Sequence, residues 1–294
     1  MNSPYRTALI TPSYSSDYEH CRLLCDSIDR FIVDPPHHYI LVDNDDHKQF
    51  SALCGPRRHV INELDILPSW LKSARQGFSA DARKIWFSAR TWPMRGWHVQ
   101  QLRRIAIASH VMEEGLLYCD SDMLFVKPFD TKSLWKDDDL RLYRKDDGIN
   151  DDLPDGGQLH KNWSQHAARL SGLPTVEFPA HDYINNLVSW RRELVTDMCR
   201  HIEEVSGKHW LAAIGSKRSF SECQIYGAYV DGVRNGAGHF PGTGALCQTY
   251  WSGEALTQDS LQRFLDTMQP NQVAVGIQSF TGTSPELLRK LIAA

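Results

Sequence analysis

No run of apolar residues in this 294-residue chain approaches the ~18 that a membrane span needs. Met1-Asn2-Ser3-Pro4-Tyr5-Arg6 lacks a charged segment leading into a long apolar stretch, so no secretory signal peptide is expected. A basic excess is missing as well. The net charge is −4, which argues against a nucleic-acid-binding domain. The seven cysteines are odd in number and include no C-x-x-C pair. Cys21 and Cys25 sit four apart on an expected helix, a spacing that suits packing. Reduced thiols in a cytoplasmic protein are the expectation. Three signatures are also missing: G-x-x-x-x-G-K-S/T, G-x-G-x-x-G after the first strand, and a G-x-S-x-G elbow. Their absence argues against a P-loop enzyme, a dinucleotide dehydrogenase and a nucleophile-elbow hydrolase.

What is present reads as one globular α/β chain, 41% hydrophobic and 23% charged. It is long enough to bury a core without disulfides or metal. Thr7–Thr11 reads as a buried strand, followed by a helix capped at Ser16 or Asp17 and running to about Ile32. Pro35-Pro36 ends that helix, and Tyr39–Val42 is a second buried strand. This βαβ spacing predicts a parallel pair. A third short strand is expected within 57–64, and 66–95 reads as irregular. A helix from Gly96 to near Gly115 leads into a strand at Leu116–Cys119, which Met123–Val126 continues. Residues 137–157 read as an Asp- and Gly-rich loop with at most a strand at 140–143. Helices are expected over Trp163–Leu170, Trp190–Val205 and Ser221–Val230. A late strand at Val273–Ile277 and a helix capped by Ser284 at Pro285 complete the pattern.

The chemistry-bearing feature is Asp120-Ser121-Asp122 at the end of the apolar run Leu116-Leu117-Tyr118-Cys119. In extended backbone, residues i and i+2 point to one side, so both carboxylates can face one cation. Hard carboxylate oxygens suit Mg²⁺ or Mn²⁺, which also bind phosphate oxygens. A metal there would neutralise charge on a departing diphosphate. The bland reading of D-x-D is a solvated acidic turn, and the strand that carries it favours the metal.

The run L-L-Y-C-D-S-D-M-L-F-V resembles the D-x-D strand of GT-A glycosyltransferases. The resemblance implies an α/β, Rossmann-like fold with a mixed, mainly parallel sheet flanked by helices. It implies a single domain over 1–294, with 1–130 holding the nucleotide and 131–294 the acceptor. Asp120 and Asp122 would coordinate the metal, with Asp120 and Ser121 also near the donor. Thr11-Pro12-Ser13-Tyr14 resembles the nucleotide-cradling loop, and Asp43 stands where such enzymes place a carboxylate near the base. Gly96-Trp97-His98-Val99-Gln100-Gln101-Leu102, His181-Asp182 and Phe220-Ser221-Glu222, followed by Tyr226-Gly227-Ala228-Tyr229, add a likeness to a bacterial glycosyltransferase-like family marked by F-S-E and Y-G-x-Y.

Glu222, in the first turn of a helix capped by Ser221, is the general-base candidate, or else only stabilises that helix terminus. His181 and Asp182 precede a strand-like segment, either as acceptor contacts, Asp182 with a catalytic role, or as a satisfied pair. His239 in Gly238-His239-Phe240-Pro241-Gly242 is the candidate third metal ligand. It competes with Gln278-Ser279, which could instead meet the diphosphate. Gln100 and Gln101 are sugar-hydroxyl candidates or an exposed helix face. Trp70, Trp86, Trp92 and Trp97 form an acceptor platform or, the preferred reading, a satellite core. Arg103 and Arg104 could meet phosphate, although paired arginines on a helix usually read as solvated. The expected partners are a nucleotide-sugar donor, taken as a UDP-sugar from the resemblance, and a glycan, lipid-linked or small-molecule acceptor. A lipid-linked acceptor would bring peripheral association with the inner face of the membrane. The rivals are a sugar nucleotidyltransferase and a catalytically silent binding protein of the same fold.

Overall fold

The computed structural model describes residues 5–76 and 84–293. Its strands are β1 (Thr7–Pro12), β2 (His38–Val42), β3 (Arg58–Asn62), β4 (Lys72–Arg75), β5 (Lys84–Ser88), β6 (Thr91–Arg95), β7 (Gly115–Cys119), β8 (Met123–Phe125), β9 (Trp135–Lys136), β10 (Asp139–Tyr143), β11 (Lys145–Ile149), β12 (Ala180–Asp182), β13 (Leu187–Arg191), β14 (His239–Gly242), β15 (Cys247–Tyr250) and β16 (Ala274–Ile277). The α-helices are α1 (Tyr18–Phe31), α2 (His47–Phe50), α3 (Glu63–Ile66), α4 (Gly96–Ala106), α5 (Gln158–Leu170), α6 (Arg192–Ser206), α7 (Trp210–Ile214), α8 (Glu222–Ala228), α9 (Gln258–Asp266) and α10 (Pro285–Ala293).

The central sheet has the order β13-β7-β1-β2-β3. Its strands are parallel except β13, which lies antiparallel to β7. Every residue of β1 and β7 is buried, as expected of strands covered on both faces. Alternation along these strands divides the core. Ala8, Ile10, Leu116 and Tyr118 meet Val99, Leu102 and Ile105 of α4 and the apolar stripe of α6. Leu9, Leu117 and Cys119 meet Leu24 and Ile28 of α1 on the other face. The chain is thus a single-domain mixed α/β fold with one mostly parallel sheet. No helix among the described residues is long and apolar enough to cross a membrane.

Smaller sheets surround this centre. β8 pairs antiparallel with β16, and β15 pairs parallel with β16. β10 lies between β14 and β9, and β11 pairs with β12. The segment read as irregular contains an antiparallel meander, β4-β5-β6. All four residues of β4 are exposed, so it carries no apolar alternation to reveal it. Pro93 sits in β6, an edge strand, where its missing N–H costs no ladder bond.

Several boundaries differ from the sequence reading. Met123–Phe125 does not continue β7. The chain turns at Asp120–Asp122 and joins another sheet, because Met123 pairs with Gly276. The helix begun at Gly96 ends at Ala106, with a short 3₁₀ turn beyond it. Trp190 belongs to β13, held by the ladder to Leu116, and the helix starts after it. α5 begins five residues before Trp163, at Gln158. Residues 139–149 form two strands, and the Gly-rich stretch 233–253 contains β14 and β15.

Candidate active site

The order β7-β1-β2 makes a topological switch. From β1 the chain moves to one side for β2 and β3, and later places β7 on the other side. In open α/β sheets, ligands bind outside the carboxyl ends of strands at such a point. Ile10 is level with Tyr118, so Thr11–Tyr14 and Asp120–Asp122 leave the sheet side by side there.

Asp122 is buried. Its Oδ2 accepts the Ser279 N–H at 3.1 Å, while its Oδ1 is buried with no hydrogen-bond partner. β8 and β16 create this contact, since the Ile277 N–H also donates to the Asp122 carbonyl. Asp17 is buried beside it and accepts from Ser121 Oγ at 3.2 Å. The side chains of Tyr14 and Ser279 hydrogen-bond within the same group. Desolvation, then the nearby Asp17 charge, raises the Asp122 carboxyl to about 6, and desolvation raises Asp17 as well. Asp17, a candidate cap for α1 by its sequence position, instead joins this group. In fact its side chain caps nothing at the start of α1.

Asp120, 32% exposed at its side chain, accepts from Arg104 Nη2 through its Oδ1. Arg104 Nη1 donates to Glu222 Oε1 at 2.7 Å, and the two side chains are only 10% and 6% exposed. Arg104 is therefore not solvated: it bridges two carboxylates 102 residues apart in the chain. Arg103 is buried too, on Glu63, whose oxygens also accept from Trp86 Nε1. Gln101 is buried rather than on an exposed face. Its Oε1 accepts the Glu222 N–H at 3.0 Å and its Nε2 has no partner. Ser221 Oγ caps α8 through the Gln224 N–H, as its sequence position predicts. Gln100 is half-buried one residue earlier on α4.

The remaining candidates divide. Of Thr11-Pro12-Ser13-Tyr14, only Tyr14 is exposed. Thr11 Oγ1 is turned inward onto His38 Nε2 and Cys119 Sγ, and the Ser13 N–H is spent on the Leu41 carbonyl. Asp43, after β2, folds its own loop by accepting the Asp45 N–H at 2.7 Å, and Lys84 Nζ lies 3.2 Å from it. Gln278 is half-buried beside Ser279. Asp182 is buried under the site. Its Oδ1 accepts Gln224 Nε2 and the Ile184 N–H, and its Oδ2 faces His160 Nδ1 at 3.0 Å. His181 points elsewhere, 3.2 Å from Asp146 Oδ1. Trp86 belongs to the main core and Trp70 packs against it, rather than forming a satellite core, whereas Trp92 and Trp97 are exposed.

His239 is not brought to Asp122. Its Nδ1 meets the Leu140 carbonyl and its Nε2 meets Tyr226 Oη, each at 2.7 Å. Tyr226 Oη also accepts the Arg191 N–H, and Arg191 pairs with Gly115 at the far end of β7 from Asp120. Burial holds the His239 imidazole down at about 4. It is a neutral structural histidine with both nitrogens used.

Asp122 Oδ1 fits a divalent cation, being buried and unpartnered. Asp120 can add only what Arg104 leaves. Among the described residues, no three His, Cys, Asp or Glu side chains gather as a metal-holding group. Mg²⁺ needs no more than one or two protein carboxylates when phosphates and waters complete its shell.

No curated protein matches the chain. The model of a family of unknown function, DUF6492, matches residues 7–286, and the chain belongs to that family.

Proposed function

We propose that the protein is a GT-A-type glycosyltransferase that moves a sugar from a nucleoside-diphosphate donor to a hydroxyl acceptor with Mg²⁺ or Mn²⁺ at the diphosphate. The observation that carries this reading is the unpartnered, buried Oδ1 of Asp122 at the sheet's switch point. The cation, when bound, would offset charge on the leaving diphosphate. Asp122 and Asp120 would hold it, and Ser279 fixes the Asp122 carboxylate by its N–H. Tyr14 and Gln278 would border the donor, and Asp43, after β2, would face its nucleoside. The unpartnered Gln101 amide is a donor for a sugar hydroxyl. Glu222 holds Arg104, which in turn holds Asp120.

One observation favours a second reading, a silent binding protein of the same fold: Arg104 occupies both Asp120 and Glu222. Calorimetric titration with UDP, GDP and their sugars, with and without Mn²⁺, tests the proposal. Metal-dependent binding is expected, weakened at least about tenfold in Asp122→Asn, the scale of loss seen when metal shells are disturbed. Binding that ignores both metal and Asp122 would overturn it. Metal-dependent binding without turnover of any donor would favour the silent protein.

A further inference from the structure

We infer that His160, held by Asp182, is the base that takes the acceptor's proton, and that Glu222 is not. The inference rests on the transferase reading above and names the acceptor side of that same site.

His160 lies in the first turn of α5. The turn before it, Asp155-Gly156-Gly157, has three consecutive positive φ values of 53°, 59° and 69°. At Gly157 a Cβ would lie 2.5 Å from the Asn150 carbonyl, so only glycine permits the chain to enter α5 at this angle. Asp182 is fixed from the other side. Its Oδ1 takes Gln224 Nε2 at 2.7 Å and the Ile184 N–H at 3.0 Å, which leaves Oδ2 for His160 Nδ1. A buried carboxylate at Nδ1 draws the ring proton to that nitrogen and leaves Nε2 with its lone pair. The His160 side chain is 26% exposed, so the ring is reachable.

The surroundings suit a sugar acceptor. The His160 ring is 5.1 Å from Trp163, which is 5.8 Å from Trp97. Trp97 is half-exposed, an indole face open to the apolar side of a sugar ring. Glu222 has no such access: it is buried and its Oε1 is held by Arg104. The first turn of α8 joins the two halves. Glu222 meets Arg104, which holds Asp120, and Gln224 meets Asp182, which holds His160.

The step balances simply. The acceptor O–H proton passes to His160 Nε2, and the oxygen bonds to the anomeric carbon. The bond from that carbon to the diphosphate oxygen breaks, with its electron pair remaining on the diphosphate. Asp182, a positioning residue, faces the imidazolium so formed, and the proton then leaves to solvent. Among the described residues, Tyr143 on β10 and Cys223 on α8 lie within reach of the Asp182 charge, Lys145 on β11 is paired in register with Asp182, and Lys161 follows His160 along α5.

The test measures hydrolysis of UDP-glucose, UDP-galactose, UDP-N-acetylglucosamine and GDP-mannose with Mn²⁺, alongside calorimetric binding of UDP and GDP. His160→Gln should bind the nucleotide as wild type does, melt as wild type does, and lose kcat by about 100-fold or more. It should also lose the acid limb of the pH profile of kcat. Asp182→Asn should lower kcat at least about tenfold with nucleotide binding unchanged, because the ring loses the partner that fixes its tautomer. Wild-type turnover that survives in His160→Gln with its acid limb intact would overturn this inference alone. Wild-type protein that neither binds nor hydrolyses any donor would overturn the transferase reading, and this inference with it.

Discussion

Replacing Arg104 with methionine isolates the physics of the bridge between Asp120 and Glu222. The Arg104 and Glu222 side chains are 10% and 6% exposed, so the variant leaves Glu222 buried without a counter-charge. Asp120 is about a third exposed and can regain water, so the cost falls on Glu222. Breaking a buried ion pair by removing one partner typically costs about 3–5 kcal/mol. For a chain of this size that corresponds to a fall in Tm of roughly 6–10 °C. Guanidinium unfolding followed by circular dichroism gives the first quantity, and thermal melts give the second. Adding Glu222→Gln should recover part of the deficit, with a coupling of about 1–3 kcal/mol. A deficit below about 1 kcal/mol at pH 7.5 would refute the reasoning, since Glu222 would then be solvated.

Two further substitutions report on the same region. Asp122→Asn should stabilise the ligand-free protein at pH 8 and have no effect near pH 4. The wild-type carboxyl, raised to about 6, is forced to ionise above that pH at a cost on the order of 3 kcal/mol at most. Paired denaturation curves at the two pH values check this, and a loss of stability at pH 8 would contradict it. Gly227→Ala should destabilise by about 1–3 kcal/mol, the usual cost of overpacking. The new Cβ would lie 2.2 Å from the Tyr183 ring, and Tyr183 is itself tied to Asp231 by a 2.7 Å hydrogen bond. An unchanged melt would show that the ring moves freely aside.

The parallel centre of the fold was legible because Thr7–Thr11, Tyr39–Val42 and Leu116–Cys119 are short apolar runs, the mark of strands covered on both faces. The meander β4-β5-β6 was not, since β4 is wholly exposed and β6 contains Pro93. Met123–Phe125 is as apolar as the strand before it, and no local pattern tells that it pairs with Gly276 far along the chain. The candidate residues followed the same rule. Asp122 drew notice from its strand, and Gln101 and Glu222 from the motifs around them. Arg104 looked solvated because its two partners lie 16 and 118 residues away. His160 gave no signal, because its meaning comes from Asp182 on another element. His239 was misread because a His-Phe-x-Gly motif does not reveal that Tyr226 and Leu140 already occupy its ring.

Asp122 Oδ1 at the β1–β7 crevice is the centre of the account, and anomalous diffraction from crystals grown with Mn²⁺ and UDP tests it most directly. The account predicts a manganese peak bonded to Asp122, at the roughly 2.0–2.2 Å typical of carboxylate–metal bonds, with diphosphate oxygens completing the shell. A nucleotide bound elsewhere, or one bound in the crevice with no metal on Asp122, would contradict it.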